Sequence, residues 1–145
     1  MRRFWLAALA ALLMSCGSPA EDFVGTYAVT GNSVVSLVGP PQTSSTRALT
    51  QSVSVARSTG DTLRVIADGC LFSATAQDDT TAVFALGERC ALIDTNFEAT
   101  IAVTSGTLTR SGSVLSVSYG GTVSGTSQGR PFSGTYTYRA SGPRR

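Results

Sequence analysis

The sequence contains neither histidine nor lysine among its 145 residues, and charged side chains of any kind are scarce. Charged residues make up 14% of the chain, against roughly 25% in an average globular protein. Without His or Lys, a nucleophilic Ser, Thr or Cys lacks the bases that usually activate it, and no zinc site of the Cys/His type can form. These absences predict a protein that is not an enzyme and that holds no metal ion and no cofactor.

The basic residues are all arginines, and acidic residues balance them over most of the chain. Of the 11 arginines, Arg2 and Arg3 stand at the N-terminus, which leaves nine against nine Asp plus Glu. A nucleic-acid-binding surface needs an excess of basic side chains to neutralise phosphates. We therefore expect no nucleic-acid partner. The polar surface comes instead from Ser and Thr, with 19 of each, and Thr favours β-strands.

The N-terminus has the pattern of an export signal. Arg2 and Arg3 precede an apolar run at residues 4–13, which is too short to span a bilayer as a helix. The run ends in Leu13-Met14-Ser15-Cys16, which resembles the lipobox of bacterial lipoproteins. That resemblance implies cleavage before Cys16, acylation of Cys16 and contact with a membrane through the lipid. The alternative is an ordinary secretory signal in which the cysteine falls at this position by chance.

The same resemblance sets the expected domain boundaries and location. Residues 1–15 would be the signal peptide, with a signal helix, and residues 16–22 the lipidated cysteine and a flexible tether. A β domain would follow at 23–140, and 141–145 would be a disordered tail. The residue after Cys16 is Gly17 and not Asp, which by the Gram-negative sorting rule implies the outer membrane of the cell envelope.

Two further cysteines, Cys70 and Cys90, remain after Cys16 is assigned to the lipid. An exported protein meets an oxidising compartment, where a pair of cysteines most simply forms a disulfide. The strand pattern places Cys70 at the start of one strand and Cys90 just past the end of the next, so a hairpin between them brings the two together. A metal or redox site is the alternative, but neither a histidine nor a Cys-x-x-Cys spacing accompanies them.

Almost every later segment alternates between apolar and polar residues, and short turns separate the segments. The pattern predicts an all-β fold of eight or nine antiparallel strands in an up-and-down meander, forming a closed or nearly closed small barrel. A β-sandwich is the alternative. The motif Phe-x-Gly-Thr-Tyr occurs at residues 23–27 and 132–136, on the first and last strands, which are neighbours in a closed meander. Gly120-Gly121 inside a strand indicates a bulge or bend.

The first strand carries Gly25-x-Tyr27 at the head of this meander. In that respect the chain resembles the lipocalin-like (calycin) barrels, across the whole domain but on this short motif alone. The family's usual tryptophan and C-terminal helix are absent from the pattern. The resemblance implies a barrel whose mouth or interior binds something apolar.

An aromatic group on the last two strands is the candidate binding site: Tyr119, Phe132, Tyr136 and Tyr138. It has two interpretations, an aromatic platform for a ligand or core packing between neighbouring strands. Asp78-Asp79 reads as a hairpin turn, with an acid pair or a calcium site as the alternative. Glu88, Asp94 and Glu98 read as solvated charges, with a small cation site as the alternative.

Together these patterns predict a lipid-anchored envelope lipoprotein whose β domain is a non-catalytic binding or interaction module. Its partner would be a small apolar ligand or an envelope protein, and an inhibitor role falls within this class. The alternative is a purely structural envelope component with no ligand. The sequence leaves the oligomeric state open.

Overall fold

The computed structural model describes residues 17–38 and 43–145. A short 3₁₀ helix, Pro19–Phe23, precedes nine strands. The strands are β1 Gly25–Val38, β2 Thr43–Arg57, β3 Thr62–Ala67, β4 Cys70–Ala76, β5 Thr81–Phe84, β6 Arg89–Asp94, β7 Phe97–Ser111, β8 Val114–Ser127 and β9 Arg130–Pro143.

The nine strands form one antiparallel sheet in the order β5-β4-β3-β2-β1-β9-β8-β7-β6, and β5 also pairs with β7. The sheet therefore curls into a nearly closed ring, which confirms the predicted all-β meander. A sandwich is wrong because the hydrogen-bonded ladder continues through every strand. β1 and β9 are neighbours, as expected of first and last strands. Their repeated motifs do not pair with each other, since Gly134 lies opposite Leu37.

The ring is incomplete where β5 and β6 share one edge of β7. β5 pairs with the later part of β7 and β6 with its first part. β4 pairs with β5 only through Ala74–Ala76, so its first residues and β6 face each other without a ladder. The disulfide Cys70–Cys90 spans this break, with the two Cα atoms 5.5 Å apart, and confirms the predicted pairing. The backbone N–H of Ser73 also donates to the Glu88 carboxylate across it.

The core fills the inside of the ring because alternate residues of each strand point inward. On β4, for example, Cys70, Phe72, Ala74 and Ala76 are buried and the residues between them are more exposed. The largest fully buried side chains include Phe23, Tyr27, Phe72, Phe84 and Tyr138.

The 3₁₀ helix closes one end of the ring, which we call the plugged end: the helix together with the turns at residues 58–61, 77–80 and 112–113. Ala20 and Phe23 are fully buried there, and the Tyr27 hydroxyl donates to the Phe23 carbonyl at 2.9 Å. We call the opposite end, with the turns at residues 68–69, 95–96 and 128–129, the mouth end.

The structure differs from the expected boundaries at both ends of the domain. Residues 18–22, expected to be tether, belong to the plug, by which we mean the 3₁₀ helix and its N-cap Ser18. Ala20 and Phe23 of this segment bury apolar surface in the ring. The last strand continues to Pro143, beyond the expected end at residue 140. The expected tail is also bonded, since the Arg144 N–H donates to the Ser113 carbonyl and the Arg145 N–H to the Thr26 carbonyl. The expected signal helix at residues 1–15 lies outside the described residues.

The predicted irregularity near Gly120-Gly121 is present, but the extra residue is on the partner strand. The pairing of β7 with β8 shifts register between Val103 and Ser105, opposite this glycine pair. Within the described residues, no helix has the length and apolar character needed to cross a membrane.

Candidate functional site

An apolar cavity of about 180 Å³ lies inside the ring at the mouth end. Inward-facing residues from five consecutive strands of the sheet form its wall: Val35, Leu37, Leu92, Ala99, Ile101, Val123, Ser127, Phe132 and Tyr136. Ala99 and Ile101 are fully buried, whereas Leu37, Leu92 and Phe132 are half-buried. The cavity therefore begins in the core and reaches the surface at the mouth end.

The predicted aromatic group is brought together, but its members lie at different depths. Phe132 and Tyr136 line the cavity. Tyr119 and Tyr138 lie below it toward the plugged end, with their rings stacked at a centroid distance of 4.9 Å. Tyr119 also contacts Phe72 at 5.1 Å, which makes these two tyrosines part of the core. Core packing thus accounts for Tyr119 and Tyr138, whereas Phe132 and Tyr136 border the cavity.

A polar link crosses the mouth end beside the cavity. The Tyr136 hydroxyl donates to one carboxylate oxygen of Asp68 at 2.6 Å, and Arg47 donates to the other at 2.5 Å. Asp68 stands on the β3–β4 turn with φ of 51°, and its side chain reaches Tyr136 on β9. The Asp68 side chain is 14% exposed and that of Arg47 63%. The pair carries no net charge, so the cavity is bordered by a neutralised polar group.

Hydrogen bonding differs among the three tyrosines of the aromatic group. Gln51 donates to the Tyr138 hydroxyl at 2.7 Å, whereas the Tyr119 hydroxyl is buried without a hydrogen-bond partner among the described residues. Burial raises the pKa of all three phenols above the usual value. The bond to Asp68 raises the pKa of Tyr136 further. None of these hydroxyls is therefore ionised at neutral pH.

Several wall residues were not predicted from the sequence. Val35, Leu37 and Leu92 had the alternation of ordinary strand residues, which does not distinguish a cavity wall from filled core. The hydrogen bond between Tyr136 and Asp68 joins residues 68 positions apart. Local spacing carries no signal for such a contact.

Two of the acidic candidates, Asp78 and Glu88, form hydrogen bonds to the backbone. Asp78 caps its own turn by accepting from the N–H groups of Thr80 and Thr81 and from the Thr80 hydroxyl. These bonds, that from the Thr80 side chain first, lower the pKa of Asp78. Glu88 is bonded across the break in the ring. Within residues 17–38 and 43–145, no cluster of three or more His, Cys, Asp or Glu side chains could hold a metal ion.

Cys16, the predicted lipidation site, lies outside the described residues. Comparisons of the chain with protein-family models, with curated proteins and with solved structures found no match.

Proposed function

We propose that this chain is a lipid-anchored lipoprotein of the cell envelope, most simply of the outer membrane, whose β domain binds a small uncharged apolar group without catalysis. The observation that carries the proposal is the cavity at the mouth end, because its wall is almost entirely aliphatic and aromatic. Protein interiors are normally packed with few voids of this size. An apolar cavity inside the ring is therefore the feature that sets this end apart.

The size of the cavity limits what fits. Apolar protein cavities of about 150 Å³ stay dry and bind benzene, and this one measures about 180 Å³. Typical pockets for drug-sized ligands begin at about 300 Å³. The occupant is thus a single ring or a short alkyl segment, either free or as the end of a larger molecule.

The charge of the surroundings limits the ligand further. Asp68 is already paired with Arg47 and bonded by Tyr136. An anionic group would meet the Asp68 carboxylate, and a cationic group would compete with the arginine. An uncharged ligand leaves this link intact, and that is the class we propose.

Benzene is a suitable probe for the test. Burying six carbons at roughly 0.8 kcal/mol each gives about 5 kcal/mol, which corresponds to a dissociation constant of about 0.2 mM. In an NMR titration we expect saturable shifts confined to the methyl groups of the cavity wall, among them those of Ile101 and Val123. Ala99→Leu fills the cavity from β7 and should abolish those shifts. Thr100→Leu places the same side chain at the neighbouring position, on the opposite face of β7, and should leave them unchanged.

The natural occupant is tested by native mass spectrometry of the chain purified from its own envelope. A bound mass that Ala99→Leu loses and Thr100→Leu retains would support the proposal. Absence of benzene shifts together with a clean mass would overturn it and favour a structural component without a ligand. Benzene shifts that persist in Ala99→Leu would place binding outside this cavity.

A further inference from the structure

The N-terminal segment joins the domain immediately after the proposed lipid site. Ser18 accepts from the Glu21 N–H through its carbonyl at 3.0 Å, and its hydroxyl donates to Asp61 at 2.6 Å. Ala20 and Phe23 are fully buried in the plugged end. The bonded structure thus begins two residues after Cys16, with Gly17 between.

Ion pairs and hydrogen bonds hold this segment in place. Arg57 pairs with Glu21 at 2.6 Å, and Arg144 donates to the Asp22 carbonyl at 2.6 Å. These contacts come from different strands of the sheet, β2 and the end of β9. The plug therefore has a fixed position relative to the ring.

The length of chain between the lipid and the domain is very short. Two residues span at most about 7 Å when fully extended. An acyl group on Cys16 would therefore hold the plugged end at the bilayer surface, with too little chain for the domain to turn over.

The mouth end lies at the far side of the ring. β8 runs the whole way from the turn at residues 112–113 to the turn at residues 128–129. The 13 residue steps from Ser113 to Thr126 measure about 43 Å along a strand, or about 33 Å along the ring axis for a tilt of about 40°. That distance exceeds the reach of the lipid headgroup layer.

From this arrangement we infer that the plugged end faces the membrane directly and that the cavity opens away from it, toward the aqueous compartment. The inference rests on the proposed acylation of Cys16. It deepens the proposed function by naming the source of the ligand: an uncharged apolar group presented from the aqueous side, not drawn from the bilayer that holds the anchor.

The orientation is measured by energy transfer from two matched label sites at the ends of β8. Ser113→Cys places a thiol at the plugged end, and Thr126→Cys places one near the mouth end; both side chains are exposed. Each acylated, disulfide-intact variant is labelled with a donor and bound to phosphatidylcholine vesicles carrying a headgroup acceptor. We expect at least threefold greater transfer from position 113 than from position 126.

A linker variant provides the control. Twenty Gly/Ser residues inserted between Gly17 and Ser18 span about 25 Å on average and free the domain from the surface. The difference between the two label sites should then largely disappear, while both remain bound to vesicles.

The failures of the two proposals are distinguishable. If Cys16→Ser stays in the membrane fraction of cells, the lipid anchor itself is wrong. If Cys16 is acylated and the unmodified chain is bound but both labels transfer equally, or position 126 transfers more, the orientation is overturned and the anchor stands.

Discussion

Tyr136 and Tyr119 are buried side by side, with ring centroids 5.8 Å apart, yet their hydroxyl groups have different surroundings. Tyr136 donates to the Asp68 carboxylate, and a hydrogen bond to a charged group contributes more than one between neutral groups. No described residue meets the geometry of a hydrogen bond to the Tyr119 hydroxyl, and the neighbouring Tyr136 hydroxyl is already bonded to Asp68, so burial of the Tyr119 hydroxyl is poorly compensated. For these two residues, the contribution of the phenol hydroxyl to stability depends on its hydrogen-bond partner and not on its burial.

We expect Tyr136→Phe to destabilise the domain by about 1.5–3 kcal/mol, because the buried side of Asp68 loses its donor. Tyr119→Phe removes an uncompensated hydroxyl and should leave stability unchanged or raise it by up to about 1 kcal/mol. Denaturant unfolding followed by circular dichroism measures both. Both variants keep the aromatic ring and its packing. An equal loss of stability in the two would therefore contradict the conclusion that only the Tyr136 hydroxyl has a stabilising partner.

Two adjacent glycines on β8 show how strand geometry shapes the ring. A Cβ atom at Gly121 would lie 2.1 Å from the carbonyl oxygen of Ala102 on β7, a contact that the backbone cannot relieve without moving. At Gly120 the nearest atoms would be 3.5 Å away, which is ordinary contact. The close approach occurs next to the register shift of β7, where the sheet bends.

Gly121→Ala should therefore cost about 1–3 kcal/mol or more through the forced separation of β7 and β8. Gly120→Ala at the neighbouring position should change stability by less than about 1 kcal/mol. Thermal and denaturant unfolding of the two variants tests the contrast. A smaller loss for Gly121→Ala than for Gly120→Ala would show that the close contact is not a constraint on the ring.

The strands and the disulfide could be predicted because a local sequence pattern determines them. Period-two alternation and short turns fixed the meander, and the position of Cys70 and Cys90 at strand ends fixed the disulfide. The plug was missed because residues 18–22 are small and polar for the most part, and only burial of Ala20 and Phe23 shows their role. The alternation could not decide between a cavity and a filled interior for a related reason. A cavity is a volume left between side chains of five strands, and alternation shows which way each side chain points but not how well opposing side chains fill the space.

The two ends of the β domain are joined by contacts of Arg144. Arg144 donates to the Tyr27 hydroxyl at 2.9 Å and to the Asp22 carbonyl, and its guanidinium lies 5.4 Å from the centre of the Tyr27 ring. One side chain after the last strand thus bonds the first strand and the plug. β1 and β9 pair although they are far apart in the sequence. The contacts of Arg144 therefore reinforce a long-range strand pairing that is lost when the domain unfolds.

We expect Arg144→Ala to destabilise the domain by about 1–2 kcal/mol, since it removes three side-chain hydrogen bonds, two to the Tyr27 hydroxyl and one to the Asp22 carbonyl, and a cation–π contact at a partly exposed site. Arg144→Lys should not restore the loss, because a single ammonium cannot hold the planar, two-sided contact of a guanidinium. Arg145→Ala, at the neighbouring exposed position, should stay within about 0.5 kcal/mol of the unmodified chain.

Hydrogen exchange locates the effect: the amides of Thr26 and Tyr27 should lose protection in Arg144→Ala before those of β7 and β8. Uniform loss across all strands, or full rescue by lysine, would mean that Arg144 acts only as a charge and does not join the two ends of the chain.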